Sequence, residues 1–233
     1  MPRASESLLE ANPPMTLFTT KAPTRIGTYN VRTMYETGKS AQVANEMRRY
    51  RIDLLGISEC RWNDSGRVTL ASGETVIYSG HEEGHSHTDG VAIMMSGRAA
   101  AALVEWLPVS PRVITARFNS KGRKVTVIQC YAPTNDSSEV VKNAFYDRLQ
   151  SVLTELPRRD IKILMGDMNA KIGKNNTGKD SVMGRDALGD MIENGELLTD
   201  FCAFNDLVIG GSIFPHEDIH KATWISPNGR TRI

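Results

Sequence analysis

No apolar stretch of this chain approaches the roughly 20 residues that a bilayer crossing needs. The longest, around Ala99 to Leu107, is interrupted by Glu105, so no membrane partner is expected. The N-terminus also lacks a continuous apolar core, because Glu6, Glu10, Asn12 and the Pro13-Pro14 pair break it. No signal peptide is read there, and an intracellular location, nuclear or cytoplasmic, is expected. Cysteine is scarce: Cys60, Cys130 and Cys202 are an odd number at wide spacing, each beside or inside an apolar run. That excludes a disulfide framework and reads as reduced, buried thiols. No CxxC pair points to zinc. A charge excess is missing as well, since 28 Lys and Arg stand against 27 Asp and Glu. A nucleic acid would therefore have to be held by a local basic groove, not by global charge.

What is present is an ordinary globular composition, 40% hydrophobic and 24% charged over 233 residues, which suits one large domain. Residues 1–24 carry Pro, Ser, Thr and Ala without periodicity and read as a flexible leader, with the domain over 25–233. Short β-prone runs are expected as strands at 26–31, 52–58, 75–79, 90–95, 113–118, 125–131 and 161–165. Helical spacing marks 39–50 and 138–156, the second with Ser137 or Ser138 as N-cap, one face including Val140 and Val141, and a stop at Pro157. A broken helical region is expected over 188–204 and a short strand over 207–209. Strands and helices mix without strict alternation, which gives an α/β or α+β class with mixed sheets.

Polar residues stand at the ends of several of these strands: Asn30, Glu59, Tyr131, and Asp167 with Asn169. A rigid sheet can aim such groups at one point. Phosphodiester hydrolysis asks for this set. A hard divalent cation can be held by carboxylate and amide oxygens, here Glu59 and Asn30, and Mg²⁺ needs only one or two protein groups. Asp167 can orient or deprotonate water, the Asn169 amide can donate to a phosphoryl oxygen, and so can Tyr131. On an extended segment, a spacing of two would put Asp167 and Asn169 on one face. Taken singly, each of these residues also suits an ordinary turn, and Asp167 with Asn169 could build an Asx turn.

Together, TYNVRT, ISECRW, DGVAIMM, QCYAPTND, ILMGDMNAKIG and FPHEDIHKATWISPNGR, between about Arg25 and Arg232, resemble the endonuclease/exonuclease/phosphatase superfamily. The last string and WLPVSPRVITARF resemble the endonucleases of RTE-type non-LTR retrotransposons and the related craniofacial development protein 2 type. The resemblance implies a four-layer αββα sandwich of two mixed sheets flanked by helices. It implies Mg²⁺, with Mn²⁺ as a substitute, at Glu59 and Asn30. Catalytic roles would fall to Asp167, Asn169 and Tyr131, and substrate contacts to Thr223, Arg32 and Trp224. DNA would be the partner and a DNA nick the product, with a monomer favoured.

Two departures accompany it. Asn30-Val31-Arg32 lacks the second carboxylate of the Asn-x-Asp motif of abasic-site enzymes, as retroelement members also do. The family's Ile-Asp-His and Ser-Asp-His segments, which supply an aspartate, a further metal-side carboxylate and the catalytic histidine, do not occur before Ile233. The domain is therefore expected to be C-terminally truncated, without the family's C-terminal strands, and weak or inactive as it stands. A non-catalytic remnant binding nucleic acid or protein is the alternative, and a phosphatase acting on a small phosphoester the next. His81, His85 and His87 read as surface residues, and His216 with His220 lacks the further ligands that zinc needs. Trp62 and Trp106 read as core. Arg48, Arg49, Arg51, Arg61, Arg123, Lys124, Arg158 and Arg159 are candidates for phosphate contacts against a default of solvated surface.

Overall fold

The computed structural model describes residues 15–20, 22–217 and 221. In chain order its elements are β1 (Ile26–Asn30), α1 (Lys39–Arg49), β2 (Leu54–Ser58), β3 (Ser65–Thr69), β4 (Thr75–Ser79), β5 (Val91–Met95), α2 (Gly97–Ala102), β6 (Leu103–Ser110), β7 (Val113–Phe118), β8 (Val125–Tyr131), α3 (Glu139–Glu155), β9 (Ile161–Asp167) and α4 (Glu193–Phe204). The strands form one five-stranded sheet ordered β1-β2-β5-β4-β3 and one four-stranded sheet ordered β6-β7-β8-β9. Both sheets are mixed: β1 runs parallel to β2 and β8 parallel to β9, while the other neighbours are antiparallel.

Alternation along each strand builds the layers. In β5, Val91, Ile93 and Met95 face the second sheet, while Ala92 and Met94 face α1. In β8, Val125 and Val127 face the first sheet, while Ile128 and Cys130 face α3. Burial on both faces is why these strands read as unbroken apolar runs. Val43, Ala44 and Met47 of α1 cover one outer face. Phe145, Leu149, Val152 and Leu153 of α3, joined by Phe201 of α4, cover the other. The result is the expected α-β-β-α sandwich.

Several local expectations change. β3, α2 and β6 were not expected as separate elements. β3 is a polar edge strand held by its pairing with β4, and β6 is an edge strand that accommodates Pro108. The strand expected at 207–209 reduces to one bridge between Met183 and Ile209. Val140 and Val141 are exposed, because the phase of α3 is set by Phe145 and Leu149 and turns the Lys142 stem inward instead. Lys142 is then paired to Glu193 at 2.8 Å. Ser138 is the N-cap residue of α3 but makes no side-chain cap bond. Within the stretch read as a leader, Leu17 is fully buried in the inter-sheet core and donates its N–H to Asn119 O at 2.9 Å. The packed domain thus begins before Arg25.

Parallel pairing positions the site. It brings Asn30 beside Ser58 at the end of the first parallel pair, and Tyr131 beside Asp167 at the end of the second. The two sheets then bring these ends together at one edge of the sandwich.

Candidate functional site

The side chain of Asn30 joins the two sheets. Its Nδ2 donates to Glu59 Oε1 at 2.8 Å and to Asp167 Oδ2 at 2.9 Å, while its Oδ1 accepts from Arg32 N at 3.0 Å. The amide can point only this way, since carboxylates accept and a backbone N–H donates. The loops that leave the strands here bend sharply, with Arg32, Glu59, Arg61 and Asn169 all at φ between 46° and 59°. Such left-handed conformations are costly for residues other than glycine and cluster at functional edges.

Glu59 is saturated. Its Oε1 also accepts from Tyr131 Oη at 3.0 Å, and its Oε2 accepts from an Arg61 guanidinium NH₂ at 3.2 Å. Burial pushes the Glu59 carboxyl up, but the bonds from Asn30, Tyr131 and Arg61, with the Arg61 charge, outweigh it and hold the group below its usual range. Burial and the adjacent Glu59 charge push the Tyr131 phenol well up, so it stays a proton donor. Arg112 braces that tyrosine. Its guanidinium lies 5.0 Å from the ring centroid, donates to Tyr131 O at 3.2 Å and pairs with Asp89 at 2.9 Å.

Asp167 and Asn169 share the site by a different local geometry from the extended one expected. Asp167 Oδ1 accepts the N–H of Asn169 at 3.1 Å, which turns the chain into an Asx turn with Asn169 at φ 46°. The turn and the site are therefore one arrangement. Gly166 is required just before it, because its φ is 139° and a Cβ there would strike the Cys130 backbone. Asn169 Nδ2 donates to Ala132 O at 2.8 Å, which leaves the second amide hydrogen available.

Beneath the edge, Gln129 Nε2 donates to Ser58 Oγ at 3.0 Å, and Ser58 Oγ donates to Cys130 O at 3.2 Å. This buried link holds the residues before Glu59 and Tyr131 in step. Sequence reading also missed Asn194. Buried in the first turn of α4, it donates through Nδ2 to Asn169 O and Pro133 O, both at 3.0 Å. Its backbone N–H is accepted by Asn135 Oδ1 at 3.2 Å. The one available signal was Asn194-Gly195, two weak helix formers at a helix start.

Thr223 and Trp224 lie outside the described residues, as does His220. Arg32 is exposed beside Asn30. Of the basic candidates, Arg61 joins the site, Arg48 pairs with Glu74 at 2.9 Å and Arg123 donates to Arg159 O at 2.7 Å. Trp62 donates to Met34 O at 3.1 Å and packs edge-on against Tyr78, and Trp106 packs against the inter-sheet core, as expected. His81 meets Asp89 at 3.3 Å, and His85, His87 and His216 are exposed. All three cysteines are free and buried, and burial pushes the Cys60 and Cys202 thiols up to about 11. Among the described residues no three His, Cys, Asp or Glu side chains form a metal cage, and no helix is long and apolar enough to cross a membrane. A cleft of about 820 Å³ lined by Asp64, His81, Glu82, His85 and the Pro108–Pro111 stretch is formed by other residues than these.

The family model for the endonuclease/exonuclease/phosphatase family matches residues 27–217. The chain is similar to craniofacial development protein 2 of Bos taurus and of Tragulus javanicus, each 37% identical over 207 residues and 89% of this chain. It spans about a third of the length of those curated relatives, 34% and 35%. Among solved structures, the endonuclease domain of TRAS1, a telomere-specific non-LTR retrotransposon, is similar at a TM-score of 0.53 and 15% identity, covering 79% of this chain and 73% of that one. An AP endonuclease from Archaeoglobus fulgidus has a TM-score of 0.53 at 18% identity, over 78% of this chain and 70% of that one. These two likenesses concern the fold. The chain belongs to the endonuclease/exonuclease/phosphatase family, whose enzymes are hydrolases, nucleases and phosphodiesterases among them, generally dependent on a divalent metal.

Proposed function

We propose that this family member is built for Mg²⁺-dependent hydrolysis of a phosphodiester, as a DNA-nicking endonuclease of the retrotransposon type. The observation that carries the reading is the Asn30 amide, which draws the carboxylates of Glu59 and Asp167 from different sheets to one point. Two carboxylates, an amide oxygen and a phenol are hard oxygen donors, which fits Mg²⁺ or Mn²⁺ and not a softer metal. Glu59 would hold the cation, joined by Asn30 through the lone pair of Oδ1 that Arg32 does not use. When bound there, the cation supplies neutralisation of the phosphodiester and of the leaving oxygen.

The other residues act directly. Asp167 accepts a proton from water or orients it, its Oδ1 being steadied by the Asn169 N–H. The second Asn169 amide hydrogen donates to a phosphoryl oxygen as charge builds there. Tyr131, kept protonated, donates to another. Arg32, exposed next to Asn30, meets the flanking backbone, and Thr223 and Trp224 complete the substrate contacts. The fold shared with the endonuclease domain of a telomere-specific non-LTR retrotransposon supports DNA as the substrate.

A second reading, binding of nucleic acid or protein without turnover, has one observation in its favour. The hydrogen bonds of the described histidines go to Asp89, Glu82 O and Arg61 O, not to Asp167 or Asn169. The test is nicking of supercoiled plasmid in Mg²⁺, Mn²⁺ or EDTA. It is run with the 233-residue chain and with that chain extended by the Ile-Asp-His and Ser-Asp-His segments. Relaxed circles from the extended form in Mg²⁺, lost in EDTA and in Asp167→Asn, are expected. Nicking that persists in Asp167→Asn sinks the site. DNA bound but never cut by either form selects the second reading, and release of phosphate from phosphoinositides instead of nicking selects a phosphatase.

A further inference from the structure

Arg61 sits where a cation bound to Glu59 would compete with it. One guanidinium NH₂ reaches Glu59 Oε2 at 3.2 Å, while Oε1 is already shared by Asn30 and Tyr131 at 2.8 and 3.0 Å. A carboxylate oxygen has about two lone-pair directions. Oε1 is therefore filled, and Arg61 holds one of the two places left at Oε2.

The arginine is itself poorly satisfied. Its Nε is buried without a hydrogen-bond partner among the described residues, although 43% of the side chain is exposed. A buried donor left unpaired carries a desolvation penalty, so the pose is held by the pair with Glu59 and not by a socket of acceptors. The main chain is fixed: Arg61 N donates to Asp89 O at 3.0 Å, and its carbonyl accepts from His87 Nδ1 at 3.1 Å. Only the side chain is free to swing, and its outer part already faces solvent.

We propose that Arg61 is a resident counter-ion of Glu59 that a divalent cation displaces, and that the displaced guanidinium becomes a ligand for a phosphodiester oxygen. The proposal rests on the reading of Glu59 as the cation-holding carboxylate. No covalent bond changes in the exchange: one positive charge leaves the carboxylate, two arrive, and the arginine turns to the anion that the cation attracts. A planar guanidinium fork suits phosphate oxygens. Cation and phosphodiester then strengthen each other's binding through one side chain, and the coupling is reciprocal.

Mn²⁺ binding, followed by electron paramagnetic resonance, and binding of a phosphorothioate DNA oligomer, followed by fluorescence anisotropy, test this on the chain and on Arg61→Gln, Arg61→Lys and Glu59→Gln. Arg61→Gln is expected to bind Mn²⁺ roughly two- to fivefold more tightly, the range for a half-exposed ion pair. The gain in DNA affinity on adding Mn²⁺ should shrink by a similar factor, and Arg61→Lys should lie between. Mn²⁺ affinity that is unchanged or weaker in Arg61→Gln but lost in Glu59→Gln overturns the counter-ion and leaves the cation site standing. Mn²⁺ binding that survives Glu59→Gln removes the cation reading and this proposal with it.

Discussion

The space between the two sheets is lined in two ways along its length. Towards one end Leu54, Ile93, Met95, Ala116, Phe118 and Val127 close it with fully buried hydrocarbon. At the other, Ser58, Gln129 and Tyr131, then Asn30, Glu59 and Asp167, fill it with hydrogen bonds. Gly56 marks the change, since a Cβ there would collide with the Gln129 amide oxygen. The apolar end is close-packed and sets how far apart the sheets stand. The polar end inherits that spacing, and bonds of 2.8 to 3.0 Å from Asn30 and Tyr131 are possible only because it is fixed elsewhere.

If the division holds, the two ends should respond differently to mutation. The largest effect is expected at the apolar end: Phe118→Ala should lower stability to urea by about 3–5 kcal/mol, the cost of a large core truncation. A loss under about 1 kcal/mol would mean that the hydrocarbon end is not the anchor. At the polar end Asn30→Ala should cost less, about 1–3 kcal/mol, because it strips a donor from two carboxylates without opening a large cavity. Combined with Glu59→Gln the losses should be less than additive, and strict additivity in the double-mutant cycle would break the idea of a shared bridge.

Acid sharpens the contrast further. The Glu59 carboxyl lies lower in the folded chain than its unfolded value, so it contributes stability above about pH 4.3 that disappears as pH falls through the lowered folded value. Glu59→Gln should therefore flatten the acid limb of a stability-against-pH curve. An identical limb in the variant would show that its hydrogen bonds contribute nothing net. Smallest of all is the exposed face of α3, where Val140→Glu should change thermal stability by less than about 0.5 kcal/mol. A larger loss would place Val140 in a contact outside the described residues.

Legibility in the sequence followed the same division. Val91–Met95 and Val125–Tyr131 could be read because burial on both faces leaves an apolar run. Ser65–Thr69 could not, since a polar edge strand exists through its neighbour and not through its own composition. Asn30, Glu59, Tyr131 and Asp167 stood out as polar groups closing apolar runs. Their hydrogen-bonding to one another did not, because it depends on two parallel pairings and on the meeting of two sheets. The outward turn of Val140 and Val141 escaped for a related reason: a helix whose apolar residues spread beyond one narrow stripe does not declare which of them its neighbour will take.

Asn30 and Asp167 touch although 137 positions separate them. A contact so distant in sequence closes late, after a substantial loss of chain entropy, and sheets of this kind are slow to fold. A ribosome makes β1 and β2 well before β9, so a growing chain holds Glu59 long before it has Asp167 to set beside it. The amide bridge therefore acts as an inspection step. The paired carboxylates come into being only in a domain whose halves have already found each other, and a half-made copy holds Glu59 without its counterpart.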